Sequence, residues 1–275
     1  MPPELRLAGN PPTMQNATLL LALTGWMDGG EVSTGTVKRM MENRTLSEVG
    51  TIDPDPFYIF SFPGSMEIAA IFRPEVRLRN GVVRRAPKFP ENVFSVDAPN
   101  NLVFFLGAEP NLKWQAFADA IFAACKTLDV KRIVFMGSFG GTVPHTREPR
   151  MFGSVSHTHL TPILTEHGLK PSDYTGPSSF STLLLSQAPS HDIEMINFVA
   201  EIPGYLSGEN PLSIEAVTRR LAKFLNQPVD IDSLRQSSNT WESKISEAVE
   251  KDEELAATVK KLEDAYDNEL IKERE

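Results

Sequence analysis

The sequence has few of the features that several classes of protein require. It holds one cysteine in 275 residues, which excludes an intramolecular disulfide and a cysteine-based zinc site and predicts a reducing compartment such as the cytoplasm. Its apolar runs, for example 19–23 and 102–106, are far shorter than the ~20 residues of a membrane-spanning helix. Pro2, Pro3 and Glu4 stand where a signal peptide would be basic. We therefore expect a cytoplasmic protein without a membrane partner.

Basic residues are also scarce. Lysine and arginine number 27 against 36 aspartates and glutamates, giving a net charge of −9. A general nucleic-acid binder would carry an excess of basic charge, so we expect no nucleic-acid partner. Residues 241–275 hold twelve acidic and six basic residues, a net charge of −6, which leaves −3 for the first 240 residues. The charge thus belongs mainly to a C-terminal tail.

Strand and helix patterns alternate along the chain. Predominantly apolar segments predict strands at 18–23, 57–62, 102–106, 132–136 and 195–200. Apolar residues at helical spacing predict helices at 31–43, 112–128 and 214–225. Asn80-Gly81 predicts a turn between short strands at 76–78 and 82–84. The alternation predicts an α/β fold with a largely parallel sheet.

The acidic tail carries an apolar stripe of its own. Four- and three-residue steps, interrupted at Asp252, separate its members Trp241, Ile245, Ala248, Leu255, Val259, Leu262 and Tyr266. This spacing predicts a coiled-coil-like seam or a helical hairpin, covering either its own domain or another chain. We divide the chain into a flexible N-terminal segment (1–17), an α/β domain (18–235) and an acidic helical tail (236–275), with a linker at about 236–240.

Polar loops follow three of the predicted strands. Ligands of open α/β sheets bind beyond the carboxyl ends of strands, so Asp28, Glu109 and His145 are candidate catalytic groups, and Arg147 is a candidate anion contact. The alternative is structural: the carboxylates would cap helices, and His145 and Arg147 would hold their loop together. No complete catalytic motif supports the first reading. Residues 25–31 lack the pattern of a phosphate-binding or dinucleotide-binding loop, and Ser138 directly follows Gly137 instead of standing in Gly-x-Ser-x-Gly.

Metal-binding and cofactor-binding motifs are equally sparse. His157 and His159 are two residues apart, which suits one face of a strand, but no third ligand stands at a matching spacing. Cys125 follows two alanines in a predicted helix and is expected to be a small core residue. We therefore expect no metal and no cofactor.

Six loop motifs, taken in order, are more informative than any one alone. They are Gly25-Trp-x-Asp-x-Gly30, Arg73-Pro-x-Val76, Gly107-x-Glu-Pro-x-x-x-Trp114, Pro144-His-Thr-Arg147, Tyr174-x-Gly-Pro177 and Pro203-x-Tyr205. Together they resemble the bacterial and actinobacterial branch of the proteasome assembly chaperone family over about residues 18–226. Two positions depart from the family pattern: Ser179 follows Ser178 where Thr-Gly is frequent, and Gly204 stands where histidine is frequent. The candidate ligand- or partner-binding residues are Trp26, Asp28, Gly30, Glu109, Trp114, His145, Arg147 and Tyr174.

The resemblance implies a fold and a function. The fold is a three-layer α/β/α sandwich, similar to the phosphorylase/hydrolase-like fold, with a C-terminal helical extension. The function is that of a non-enzymatic, chaperone-like homo-oligomer, most often a trimer, with a protein client. The first alternative is a small-molecule-binding protein or enzyme related to nucleoside phosphorylases or hydrolases, which would use the strand-end loops. The second is a scaffold whose tail alone recruits a partner.

Overall fold

The computed structural model describes residues 1–272. Within this range the strands are β1 (Leu5–Leu7), β2 (Ala17–Thr24), β3 (Ser47–Ile52), β4 (Arg77–Arg79), β5 (Val82–Arg85), β6 (Val93–Asp97), β7 (Leu102–Ala108), β8 (Val130–Gly141), β9 (Met151–Val155), β10 (Lys170–Pro171) and β11 (Glu194–Pro203). The α-helices are α1 (Val32–Met41), α2 (Met66–Ile71), α3 (Trp114–Thr127), α4 (Thr161–Glu166), α5 (Phe180–Gln187), α6 (Pro211–Leu225), α7 (Ile231–Val249) and α8 (Glu253–Lys272).

Nine strands form one sheet in the order β1-β3-β6-β7-β2-β8-β11-β9-β10, and β4 and β5 form a separate hairpin. The four central strands, β7, β2, β8 and β11, are parallel. On one side β1, β3 and β6 continue the sheet in antiparallel pairing, and on the other β9 runs antiparallel to β11. The predicted largely parallel sheet is therefore wrong at its flanks. The reason is visible between β6 and β7, because the short turn at 98–101 can join only antiparallel neighbours.

Helices cover both faces of the sheet. In β2, Leu19, Leu21 and Leu23 belong to one buried cluster that includes residues of α3 and α5. The alternate residues Leu20 and Ala22 belong to a second cluster that includes residues of α1 and α6. Side chains of a strand point alternately to opposite faces, so the two clusters are separate layers. The expected three-layer α/β/α arrangement is confirmed.

Four of the five predicted core strands, the three predicted helices and the hairpin are present. The prediction of a strand at 57–62 is wrong, because backbone groups of this segment form hydrogen bonds with a loop and not with a neighbouring strand. The carbonyl of Phe57 accepts the amides of Asn111 and Leu112, and the amide of Ile59 donates to the side chain of Asn111. Phe57 and Tyr58 are buried anchors, so the apolar run marks a packed loop.

The C-terminal residues form a helical hairpin. Helix α7 packs along α6, and residues 236–240, where the sequence analysis places a linker, lie inside α7. The hairpin turns at 250–252, where the Asp252 carboxylate accepts the amides of Glu254 and Leu255. Residues 273–275 of the predicted tail lie outside the described residues.

At the other end of the chain, β1 pairs with β3, so the N-terminal segment contributes an edge strand to the sheet. None of the helices within residues 1–272 is long and apolar enough to cross a membrane.

Candidate functional site

The loops at the carboxyl ends of the central strands interlock through hydrogen bonds. Asp28 forms an isolated β-bridge with Ser138 at the end of β8, and the Ser138 hydroxyl donates to the Gly29 carbonyl at 2.6 Å. The Gly30 carbonyl accepts the amide of Asn210 at 2.8 Å. Gly30 has a positive φ of 64°, and a Cβ there would lie 2.8 Å from the Asn210 Cβ. A glycine is therefore required where the β2–α1 loop passes the start of α6.

Asp28 binds the first turn of α1. Its two carboxylate oxygens accept the amide of Thr34 at 3.0 Å and the hydroxyl of Thr34 at 2.9 Å. Burial raises the pKa of Asp28, and the bonds from Thr34 oppose that shift. Both oxygens satisfy donors of the helix N-terminus, which is the geometry of the capping alternative.

Glu109 joins two loops that are distant in sequence. Its Oε2 accepts the amide of Trp26 at 3.0 Å, and its Oε1 accepts the amide of Phe180, the first residue of α5, at 2.8 Å. The two carboxylate oxygens thus fix the β2–α1 loop and the start of α5 relative to each other. A charged acceptor at a helix N-terminus is favourable because the first amides of a helix lack intrahelical partners.

The three candidate aromatic residues differ in exposure. Trp114 is partly buried. Its indole Nε1 donates to the Pro110 carbonyl at 2.7 Å, and its ring lies edge-on to Phe180. Trp26 is 64% exposed and Tyr174 is 68% exposed. The Tyr174 hydroxyl donates to the Pro177 carbonyl at 3.1 Å, which holds the ring against its own loop. Trp26 and Tyr174 are therefore the candidates with large apolar surface facing outward.

His145 lies under the C-terminal helices. It is buried in the β8–β9 loop, with Nδ1 2.7 Å from the Tyr205 hydroxyl and Nε2 3.1 Å from the Ser246 hydroxyl of α7. The Tyr205 oxygen also accepts the His145 amide at 2.9 Å, so this hydroxyl binds both the backbone and the ring of His145. Burial lowers the pKa of His145, with Glu263 opposing the shift. The neutral imidazole links the loop to α7.

Arg147 binds helix α8. Its Nε and Nη2 donate to the two carboxylate oxygens of Asp267, each at 2.9 Å, and its Nη1 lies 3.6 Å from Glu263. The hydroxyl of the neighbouring Thr146 also donates to Glu263. The hydrogen bonds from Arg147 lower the pKa of Asp267. The predicted anion contact is thus filled by an acidic residue of the same chain.

Arg150 extends this contact, and the sequence analysis missed it. Its guanidinium is 2.6 Å from Glu269 and 3.2 Å from the buried Glu201, and it lies over the Tyr266 ring at 4.5 Å. We call the set the tail clamp: Thr146, Arg147 and Arg150 from the β8–β9 loop, with Glu263, Tyr266, Asp267 and Glu269 from α8. One signal was available in the sequence. Glu263 and Asp267 are four residues apart beside Tyr266, so a helix brings all three to neighbouring positions.

The two positions that depart from the family pattern have structural roles. The Ser179 hydroxyl accepts the Thr182 amide at 3.2 Å and caps α5. A Cβ at Gly204 would lie 2.9 Å from the Gly141 carbonyl oxygen, so this backbone approach favours glycine over histidine.

Cavities and metal-binding groups do not coincide with these loops. Two surface cavities of the described chain lie elsewhere, one beside Arg44 and Asp97 and one beside Phe122 and His191. Within residues 1–272 no group of three or more His, Cys, Asp or Glu side chains is arranged to hold a metal. Cys125 is buried, and burial raises the pKa of its thiol to about 12.

The structure therefore divides the candidate residues into two groups. Trp26, Asp28, Gly30 and Glu109 lie in the interlocked strand-end loops, and Glu109 links them to the start of α5, which follows the loop of Tyr174. His145 and Arg147 instead contact α7 and α8. Chemically, the first group presents the exposed ring of Trp26 on hydrogen-bonded loops, and the second holds the tail hairpin.

Comparison with known proteins gives one family and a set of similar folds. The PAC2 family model matches residues 22–249. A Mycobacterium tuberculosis protein of unknown function aligns with a TM-score of 0.85 at 22% identity, covering 100% of this chain and 92% of that one. A Corynebacterium glutamicum protein of unknown function aligns at 0.82 and 20% identity, covering 98% and 99%. At these identities the likeness supports the fold alone.

A third structure, a Mycobacterium tuberculosis proteasome-assembly chaperone homologue, is 26% identical to this chain. It aligns with a TM-score of 0.74 and covers 88% of this chain and 99% of that one. A search of the curated proteins gives no significant match.

Proposed function

The chain belongs to the PAC2 family, and from this membership we propose that it is a chaperone-like interaction protein that self-associates and binds a protein client. The similarity to a proteasome-assembly chaperone homologue supports the chaperone-like role. A trimer and a cytoplasmic location are the finer parts of the proposal. They come from the sequence resemblance and await their own measurements.

One observation carries the proposal: the exposed rings of Trp26 and Tyr174 stand on loops that adjoin the hydrogen bonds of Glu109. Trp26 and Tyr174 are 64% and 68% exposed. The amides of Trp26 and Phe180 share the Glu109 carboxylate, so the β2–α1 loop and the start of α5 keep one relative position. Tryptophan and tyrosine dominate the energy of protein interfaces, and a rigid platform reduces the entropy lost on binding. We infer that these two rings contact the client.

The first experiment identifies the client at this position. A photoreactive phenylalanine analogue replaces Trp26 in cells, and the cross-linked protein is identified by mass spectrometry and purified. Binding is then measured with the purified pair. We expect Trp26→Ala with Tyr174→Ala to weaken binding by about 30-fold or more, the effect of losing ~2 kcal/mol at an interface centre.

Ile271→Ala is the matched control, because Ile271 is 57% exposed but lies at the end of α8. Equal binding by the double variant and the control would contradict the role of the two rings. A purified client that fails to bind the wild type would contradict the proposed function itself.

The enzymatic alternative requires the same loops to open. Asp28 and Glu109 would act as acid or base, yet their oxygens are held by Thr34, Trp26 and Phe180. Thermal-shift measurements with nucleosides, phosphate and small esters test this alternative. A ligand that stabilises the wild type, but not an Asp28→Asn, Glu109→Gln variant, would favour it over the chaperone-like role.

A further inference from the structure

Residues 61–91 form an arm between β3 and β6 that buries none of its side chains. It consists of the short helix α2 and the hairpin β4–β5. The apolar side chains that it exposes, by 46–81%, are Phe62, Met66, Ile68, Ile71, Val76, Leu78, Val82, Val83 and Phe89. A two-stranded hairpin without packing is marginal in water. Nine exposed apolar side chains within 31 residues indicate an interaction surface.

The arm is basic in an acidic protein. It holds six basic and three acidic residues, a net charge of +3, so the other 244 residues carry −12. The register pairs Arg77 with Arg85 and Arg79 with Val82, with a shift between Arg77 and Leu78. Because of this shift Arg85 lies opposite Arg77, so the three arginines share one face with Val82. Leu78 and Val83 pair on the opposite face. Like charges directly opposite each other destabilise a hairpin, and an anionic partner would relieve that repulsion.

Within the described residues, the basic residues of the arm have no anionic partner. In residues 1–272 no ion pair involves Arg73, Arg77, Arg79, Arg84, Arg85 or Lys88. An amphipathic hairpin with one basic and one apolar face, both exposed, fits a partner surface that carries carboxylates.

This chain presents such a surface between α7 and α8. Residues 247–254 hold five exposed carboxylates, those of Glu247, Glu250, Asp252, Glu253 and Glu254, and one base, Lys251. We call this segment the acidic turn; its net charge is −4. Within the described residues none of these five carboxylates forms an ion pair, whereas the acidic residues of the tail clamp do.

We propose that the arm of one copy docks on the acidic turn of a second copy of this chain. The contact joins two different patches, so it is heterologous, and successive copies close into a ring when the rotation permits. This inference rests on the self-association in the proposed function and names the surfaces that carry it. Charge attraction between exposed groups is screened by salt, so the assembly weakens as ionic strength rises.

Charge reversal on each surface, followed by their combination, tests the contact. The full-length chain is compared with Arg77→Glu/Arg79→Glu/Arg85→Glu in the arm and with Glu247→Lys/Glu250→Lys/Glu253→Lys in the acidic turn. Molar mass is measured by sedimentation equilibrium at low and high salt. The dissociation constant of the assembly is expected to be at least tenfold higher in each triple variant than in the wild type. The combined six-residue variant, with arm and turn both reversed, is expected to regain the wild-type mass.

The matched control reverses three exposed lysines outside both surfaces, Lys38→Glu/Lys126→Glu/Lys223→Glu, and is expected to keep the wild-type mass. Circular dichroism confirms that every variant is folded. An arm variant that assembles like the wild type, or a combined variant that remains dissociated, overturns the proposal, as does a wild type that is monomeric throughout. An arm variant that keeps its mass but loses the client assigns the arm to the client instead. A wild type that is monomeric throughout also contradicts the self-association in the proposed function, whereas a wild type that assembles while the arm variant keeps its mass overturns only this contact; client binding at Trp26 and Tyr174 is measured separately.

Discussion

Glu109 shows how a single side chain can determine the geometry of a loop cluster. Its two oxygens accept amides from Trp26 and Phe180, which are 154 positions apart in the chain. The sequence analysis places Glu109 at the carboxyl end of a predicted strand, and it directly follows β7 in the structure. Its bonding partners were not predictable, because backbone amides leave no mark in a sequence. The structural alternative for this residue is the one that the geometry favours.

We predict that Glu109→Gln destabilises the protein about as much as Glu109→Ala. A glutamine has one oxygen, so its NH₂ group would face one of the two amide donors and leave that donor unsatisfied. The expected decrease in the free energy of unfolding is about 1–3 kcal/mol, the effect of leaving a partly buried donor unpaired. Urea unfolding followed by circular dichroism measures it.

Asp119→Asn is the matched control, because Asp119 lies on the exposed surface of α3 and accepts a bond only from Gln115. The control is expected to change stability by less than ~0.5 kcal/mol. Wild-type stability in Glu109→Gln would show that the two backbone contacts do not hold the loops.

At the scale of elements, the tail clamp explains why α8 lies on the β8–β9 loop. Helix α8 carries Asp267 and Glu269, which bind Arg147 and Arg150 of that loop. The Tyr266 hydroxyl donates to the Glu148 carbonyl at 2.9 Å, and its ring is buried beneath Arg150. Three acidic residues of the tail thus hold α8 to its own domain, and five others form the exposed acidic turn.

We predict that reversing one side of the Arg147–Asp267 pair loosens α8 and that reversing both partly restores it. Arg147→Glu and Asp267→Arg each create like-charge contacts, whereas the double variant recreates an opposite-charge pair. The carboxylate at position 147 then also faces Glu263, which lies 3.6 Å from Arg147 in the wild type, so the restoration is partial. Hydrogen exchange of the α8 amides is expected to be several-fold faster in each single variant. Both side chains are partly exposed, so salt reduces the effect.

Lys260→Glu is a control on the solvent side of the same helix and is expected to leave exchange near residue 266 unchanged. A double variant that exchanges as fast as the single variants would mean that charge pairing does not hold α8.

Predictability differed among the elements for physical reasons. The buried strand at 102–106 is a continuous apolar run, and the one at 195–200 is apolar except for Asn197, because helices cover both faces; such segments are visible in sequence. Strand β3 contains Ser47, Glu48 and Gly50, and its position near the sheet edge leaves it without an apolar pattern. The run at 57–62 was wrongly interpreted as a strand because periodicity does not record where backbone bonds go.

At the scale of the whole molecule, the distribution of charge underlies the proposed contact between the arm and the acidic turn. The sequence separates an acidic tail from a nearly neutral body, and the structure adds a further division within that body: a basic arm without buried side chains. The tail clamp joins residues about 120 positions apart, a separation over which sequence spacing carries no information. The sequence places the candidate loops at one edge because parallel strands bring their carboxyl ends together, but it did not predict that His145 and Arg147 contact the tail instead of the other loops.

We predict that the docking of the C-terminal hairpin weakens in two steps as pH falls. Burial lowers the pKa of His145 from its ordinary 6.5, so the unfolded chain binds the proton more readily, and stability present above pH 6.5 is lost as pH falls below it. The pKa of Asp267, lowered chiefly by Arg147, lies below its ordinary 3.8. Burial raises the pKa of Glu269, but Arg150 and Lys170 together hold it below its ordinary 4.5. The carboxylates therefore contribute above these values and lose their contribution below them.

Trp241 reports the first step, because its ring centroid is 6.5 Å from that of His145 and a protonated imidazole quenches indole fluorescence. The measurement uses a Trp26→Phe/Trp114→Phe background, in which Trp241 is the remaining tryptophan. With His145 present, we expect the fluorescence of Trp241 to decrease as the pH is lowered from 6.5. His145→Gln, which keeps a donor and an acceptor for Ser246 and Tyr205, is expected to remove this step and to retain the acid step. His167→Gln is the matched control: burial also lowers the pKa of His167, but its ring packs against Phe224, so the Trp241 signal should stay as in the wild type. A pH 6.5 step that persists in His145→Gln would show that a group other than His145 controls the docking of the hairpin.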